Sequence, residues 1–296
     1  MKPTDLVLAV TITFIWGVNF SVIKMGVNEM DPFLLTGLRF TLTALPAVFF
    51  IPKPQVSMKI LACYGLLFGI GVWVLMTLSI YAGLSAGMAG LILQSTAFIS
   101  VLLGIIFLKE SLSASQLIGI AVALSGLVFV SIIDDGTITL VGVLFALIAA
   151  LSLSAAGLMI KKIKIDNMFS FVVWSSLFAP LPIFFLAFLF SKSGGLDDVT
   201  LALNPTSIFS IIFQAYVTTL FGYYAWNKLL KKYPLSLMAP INLLVSIFGL
   251  IGSIIFFNEA IGLYKSLAFA LIIVGISLPF LSAANSVPVR FKNATE

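Results

Sequence analysis

The 296 residues are 61% hydrophobic and only 9% charged, against ~45–50% and ~25% in an ordinary globular chain. So few charges cannot cover a water-soluble domain of this length. Soluble-enzyme, disordered, coiled-coil and disulfide-rich classes are set aside, and a polytopic membrane protein remains. Sixteen Lys and Arg against 11 Asp and Glu give a net charge of +5, which in a membrane chain reads as basic cytoplasmic loops and not as a nucleic-acid surface.

Ten apolar runs approach or exceed the ~20 residues that a bilayer requires: 6–26, 32–51, 60–82, 85–108, 114–133, 139–160, 169–190, 206–227, 235–257 and 263–283. They are continuously apolar and not alternating, which excludes a membrane β-barrel. Backbone groups in lipid must bond within their own segment, so each run is predicted to be a helix and the chain an all-α membrane protein. The first run is too long for a signal-peptide core and is read as a span. With the N-terminus in the cytoplasm, 12 of the 16 Lys and Arg fall inside, Lys24, Lys192 and Lys265 fall outside, and Arg39 lies within a run. That bias places both termini in the cytoplasm of a cell membrane.

The two halves resemble each other. Glu110 precedes Gly126 by the same 16 residues that separate Glu259 from Gly275. Ser21-Val22-Ile23-Lys24 corresponds to Leu158-Met159-Ile160-Lys161. Five runs per half is an odd number, so the halves enter the membrane from opposite sides. The expectation is ten transmembrane helices as two inverted five-helix repeats, residues 1–133 and 139–283, with a cytoplasmic tail at 284–296. Secondary transporters are built this way, with the substrate between the repeats.

Polar residues inside the runs are the candidate site. Trp16 and Asn19 are three apart and share a helix face; Asn19 serves either as a cavity wall or as interhelical glue. Arg39 costs at least ~2.5–3.5 kcal/mol to insert, so it faces protein or water. It is either a structural residue or an anchor for a carboxylate. Trp73 and Thr77 are candidates in the third run and Gln214 in the eighth. Gln94 in the fourth run and Asn242 in the ninth occupy nearly equivalent places, since the offset from Glu110 to Glu259 carries 94 to 243. Amides suit a zwitterion because each both donates and accepts. Together these residues predict a midplane cavity lined by the first, third, fourth, sixth, eighth and ninth helices. Tyr223, Tyr224 and Trp226 read as an interfacial aromatic belt. Lys24 with Glu259 outside, and Lys161 with Glu110 inside, are candidate gate pairs between the halves. No carboxylate lies mid-run, which favours export down a substrate gradient over strong proton coupling. His is absent and Cys63 is the single cysteine. No metal site, cofactor or internal disulfide is expected.

Trp16-Gly17-Val18-Asn19-Phe20, Gly37-Leu38-Arg39-Phe40 and the Glu before the fifth and tenth runs resemble the drug/metabolite transporter superfamily, EamA type. The resemblance covers residues 5–283. Its first half is most similar to bacterial exporters of O-acetylserine and cysteine. The resemblance implies ten helices and efflux of small metabolites without an ATPase module; with no His and no mid-run carboxylate, a membrane enzyme is not expected. The expected partners are a small-molecule cargo and the lipid bilayer, with a monomer as the working unit and a dimer as the alternative. Many members place a Pro thirteen residues before the repeat Glu. Here those positions are Ala97 and Ser246, so the resemblance does not carry a helix bend there.

Overall fold

The computed structural model describes residues 1–109, 113–131, 133, 136–161, 163, 165, 167–190, 203–233 and 235–286. Every regular element among them is helical. Glu110 and the tail beyond residue 286 lie outside the described residues.

Local signals start the helices. The first run is one helix, Pro3–Glu29, with Pro at its opening turn. Asp31 then accepts hydrogen bonds from the backbone of Phe33 and Leu34 to open Pro32–Ala44. Ser57, Ser85, Asn167 and Asn204 do the same for helices beginning at Met58, Ala86, Met168 and Pro205. These caps satisfy backbone donors that a helix leaves free at its N-terminus. Among the described residues, eight helices are long and apolar enough to cross a membrane. The fifth and tenth runs give the shorter apolar stretches Ala114–Val130 and Leu263–Leu278. Large apolar side chains cover the outside, among them Phe49, Phe50, Leu181 and Phe188 at 72–82% exposure. Lipid is the solvent that suits such a surface.

Two kinds of irregularity recur in both halves. The third and eighth runs contain π-helical stretches, Leu67–Val74 and Phe213–Phe221, in which Leu75 N–H bonds to the carbonyl of Ile70 and Gly222 N–H to that of Val217. The fourth run breaks between Ala86–Leu93 and Thr96–Leu108, and the ninth between Leu235–Asn242 and Leu244–Phe257. At both breaks the chain tightens to three-residue turns. Gln94 N–H bonds to Leu91 O at 3.1 Å, as Leu243 does to Pro240 at 3.2 Å; Ala97 bonds to Gln94 at 3.0 Å, as Ser246 does to Leu243 at 3.2 Å. Pairs 94/243 and 97/246 carry the offset seen in the sequence. The breaks beside Ala97 and Ser246 are therefore made by shortened turns and not by proline at those positions, although Pro240 precedes the break in the ninth run. Lys109 (φ 55°) and Asn258 (φ 50°), the two non-glycine residues with positive φ among the described residues, end these runs and share the same offset.

The first helix packs closely along the ninth run at Gly17. A Cβ on Gly17 would lie 2.6 Å from the carbonyl oxygen of Val245 and 2.8 Å from the amide nitrogen of Gly249. The fifth and tenth runs approach as closely, through Gly126 against Ile272 and Gly275 against Ala123.

Candidate functional site

A cavity of about 130 Å³ lies where the first, third, fourth, sixth, eighth and ninth runs converge. Its wall is made by Trp16, Asn19 and Phe20, by Trp73, by Leu93 and Gln94, by Leu153, by Thr218 and Tyr223, and by Asn242 and Val245. These are the six helices the polar residues pointed to. Five of the seven residues singled out as substrate-binding meet here: Trp16, Asn19, Trp73, Gln94 and Asn242.

Each is held by a nameable contact. Trp16 donates from Nε1 to the carbonyl of Thr218 at 3.0 Å. Its ring leans on Tyr223 and Trp226, with centroids 5.4 and 5.2 Å away. The ring has room because residue 222 is glycine: a Cβ there would meet Trp16 Nε1 at 2.6 Å. Asn19 Oδ1 accepts from the Thr218 hydroxyl at 3.0 Å. Gln94 donates from Nε2 to the backbone carbonyl of Asn242 at 3.3 Å, so its side chain reaches the main chain of the other half at the place the repeat offset marked.

Thr77 and Gln214 stand outside the lining. Thr77 donates to the carbonyl of Trp73 at 2.7 Å and contacts Thr36 at 3.2 Å, tying the second run to the third. Gln214 donates to Ser210 at 2.9 Å and accepts from Arg39.

Arg39 is 1% exposed. Nη1 donates to Gln214 Oε1 at 3.2 Å and Nη2 to Thr219 Oγ1 at 3.1 Å. Its guanidinium lies over the Trp73 ring, 3.9 Å from the centroid. Neutral acceptors and a π face hold the charge, and no carboxylate pairs with it among the described residues. The sequence left Arg39 as anchor or structural residue; the structure puts it directly behind a cavity wall.

The expected gate partners are arranged differently. Glu259 is buried and accepts from Lys265 at 3.0 Å and from the Ser253 hydroxyl. Lys24 lies over the ring of Phe257, 4.3 Å from its centroid. Glu259 thus takes its cation from the opening of the next helix and not from Lys24 across the halves. The local pair needs no movement of one half against the other. Glu110 lies outside the described residues, and with it the inner pair to Lys161.

Tyr223 corrects the belt reading. It lines the cavity, whereas its neighbour Tyr224 is 52% exposed. The signal was the spacing of five. In an α-helix residues five apart point about 140° away from each other. Along a π-helical stretch the i→i+5 bond brings them round to one side. Gln214 with Thr219, and Thr218 with Tyr223, are such pairs. The first serves Arg39 and the second serves the cavity.

The EamA-like transporter family model matches the chain twice, at residues 4–132 and 140–281. A protein of Escherichia coli (strain K12) named "Probable amino-acid metabolite efflux pump" is 34% identical over 93% of this chain and 94% of its own length. The protein of that name in Salmonella typhimurium is 35% identical over the same shares. An "Uncharacterized transporter" of Archaeoglobus fulgidus is 25% identical over 92% of this chain and 96% of its own. A solved crystal structure, 16% identical, superposes with a TM-score of 0.64 over 98% of this chain and 100% of that one, a likeness of fold. The chain is a multi-pass helical membrane protein, and it belongs to the EamA-like transporter family.

Proposed function

We propose that the chain is a secondary transporter that exports small polar metabolites, amino acids or derivatives of the cysteine and O-acetylserine type, by alternating access. The observation that carries this is the cavity itself. One polar, aromatic-walled space lies where helices of both halves converge, and Gln94 and Asn242 bridge the halves across it. About 130 Å³ suits a cargo of amino-acid size. Amides, a hydroxyl and indole rings suit one that carries both ammonium and carboxylate. The names of the Escherichia coli and Salmonella typhimurium relatives support the same cargo.

The architecture that goes with this reading is ten transmembrane helices in two inverted repeats, residues 1–133 and 139–283. Both termini are cytoplasmic, the membrane is the bacterial inner membrane, and the site lies near the midplane. The two matches to the family model and the paired breaks at 94 and 243 support it. The protein works as a monomer, moves its cargo chemically unchanged and needs no cofactor. A multidrug carrier for organic cations is the weaker reading, since no acidic residue is among the described residues that line the cavity.

The test is uptake of labelled O-acetylserine, cysteine and other small amino acids into inside-out vesicles carrying the protein. Time-dependent, saturable accumulation above vesicles without the protein is expected. Equal accumulation in both preparations across the whole panel overturns the reading.

A further inference from the structure

The polarity of the cavity wall is uneven. Two donors among its lining residues are buried without any hydrogen-bond partner: the Asn19 amide nitrogen Nδ2 and the Trp73 indole Nε1. Asn19 is 1% exposed and Trp73 8%. Buried donors are ordinarily paired, and one left unmade costs the full desolvation of that group. A third unpartnered donor, Arg39 Nε, belongs to the guanidinium stacked on Trp73. That guanidinium faces only neutral acceptors, Gln214 and Thr219. Two idle N–H groups therefore belong to the lining of one cavity, and an uncompensated cation stacks on the ring that carries one of them. On the fourth run the balance is reversed. Gln94 spends its amide nitrogen on Asn242 and leaves its amide oxygen as an acceptor.

We propose that the Asn19 and Trp73 donors form the carboxylate end of the cargo site, with Arg39 supplying the compensating charge through the Trp73 ring. This rests on the reading of the cavity as the site of an amino-acid exporter. A carboxylate offers two acceptor oxygens for two N–H donors. Hydrogen bonds to an ionised acceptor are roughly twice as strong as neutral ones. In a site shielded from water the charge of Arg39 acts on it with little screening. The cargo ammonium then points the other way, to the Gln94 amide oxygen and the faces of Trp16 and Tyr223. The recognised class is a small acid bearing a free carboxylate. Esters and decarboxylated amines of the same shape are rejected.

Asn19 gives an isosteric probe. In Asn19→Asp one oxygen still accepts from Thr218, while the idle donor becomes a second acceptor bearing negative charge. Trp73→Phe keeps a ring against Arg39 and removes the indole donor.

The experiment is calorimetric titration of the full chain in lipid nanodiscs with serine, cysteine and O-acetylserine, their methyl esters and their decarboxylated amines. On the unmodified chain at least one free acid should bind tenfold or more tighter than its own ester and amine. Asn19→Asp should reverse that order, favouring the amine, and Trp73→Phe should shrink the preference at least threefold. The acid series on the unmodified chain needs no variant to fold. Esters or amines that bind as tightly as the acids overturn the carboxylate subsite and leave the exporter reading standing. An Asn19→Asp protein that keeps the preference for acids also overturns the subsite. Absence of binding by every compound overturns the exporter reading and the subsite with it.

Discussion

The side-chain amide of Gln94 donates to the backbone carbonyl of Asn242 at 3.3 Å, at the two places where the fourth and ninth runs break. The residues do not play the same part. Gln94 reaches with its side chain, whereas Asn242 offers its main chain to Gln94 and keeps its own amide for the cavity. Gln94→Leu should therefore remove both the cavity amide and the bridge between the halves, and lower initial efflux by at least about tenfold. Asn242→Leu leaves the bridge and removes only the amide. Its loss should be smaller and should appear as weaker apparent affinity. Initial rates against substrate concentration in vesicles, normalised to protein in the membrane, separate the two. Normal rates in both variants would take the pair out of the site.

Gly222→Ala should displace the Trp16 ring, because the new methyl group would lie 2.6 Å from Nε1 and that nitrogen is anchored to Thr218. Overpacking of this kind costs about 1–3 kcal/mol. Transport should fall several-fold, with a lower unfolding temperature and altered tryptophan emission. A variant with unchanged efflux and emission would mean that Trp16 can tilt without consequence.

The Glu259–Lys265 pair is nearly dry, with the side chains 3% and 2% exposed. Losing one partner of a buried pair strands the other and costs about 3–5 kcal/mol, whereas an apolar replacement of both is often neutral. Lys265→Met alone should reduce the amount of folded protein in the membrane, and adding Glu259→Leu should restore most of it. For the same reason, exchanging Lys24 for Glu and Glu259 for Lys together should not recover what either change loses. Recovery by that exchange would revive the cross-half gate that the sequence suggested.

None of the described residues that line the cavity is a carboxylate. Efflux from preloaded vesicles should then persist when an ionophore collapses the proton gradient while the substrate gradient remains. Loss of most of the initial flux under those conditions would point to Glu110 or Glu259 as coupling groups.

The sequence carried the helices well because lipid leaves a spanning segment so few options. A continuous apolar run must close its own hydrogen bonds, and Asp31, Ser57, Ser85, Asn167 and Asn204 mark where helices begin. The cavity was legible for a related reason: polar side chains such as Asn19 and Gln94 are expensive in hydrocarbon, so they gather. Tyr223 was misjudged because it stands near the end of its run beside Tyr224 and Trp226, and the π-helical stretch before it, which changes the side it faces, has no mark in composition. Lys265 was missed as the partner of Glu259 because symmetry drew attention across the halves, and a short loop brings it closer than any partner from the other half. The break at 94 could not be read from proline, since tightened backbone turns leave no compositional mark, whereas the break at 243 follows Pro240 by three residues.

The π-helical stretches at Leu67–Val74 and Phe213–Phe221 have a mechanical consequence. A helix in hydrocarbon cannot break an amide bond and let water take its place. A wide turn avoids the difficulty, since it can travel by exchanging one carbonyl partner for the next, as a dislocation travels through a crystal without cleaving it. Each step turns the residues it passes about the helix axis. The two stretches carry Trp73 in one case and Gln214, Thr218 and Thr219 in the other, on helices facing the same cavity. Torsion of the cavity wall is therefore cheapest at these two stretches.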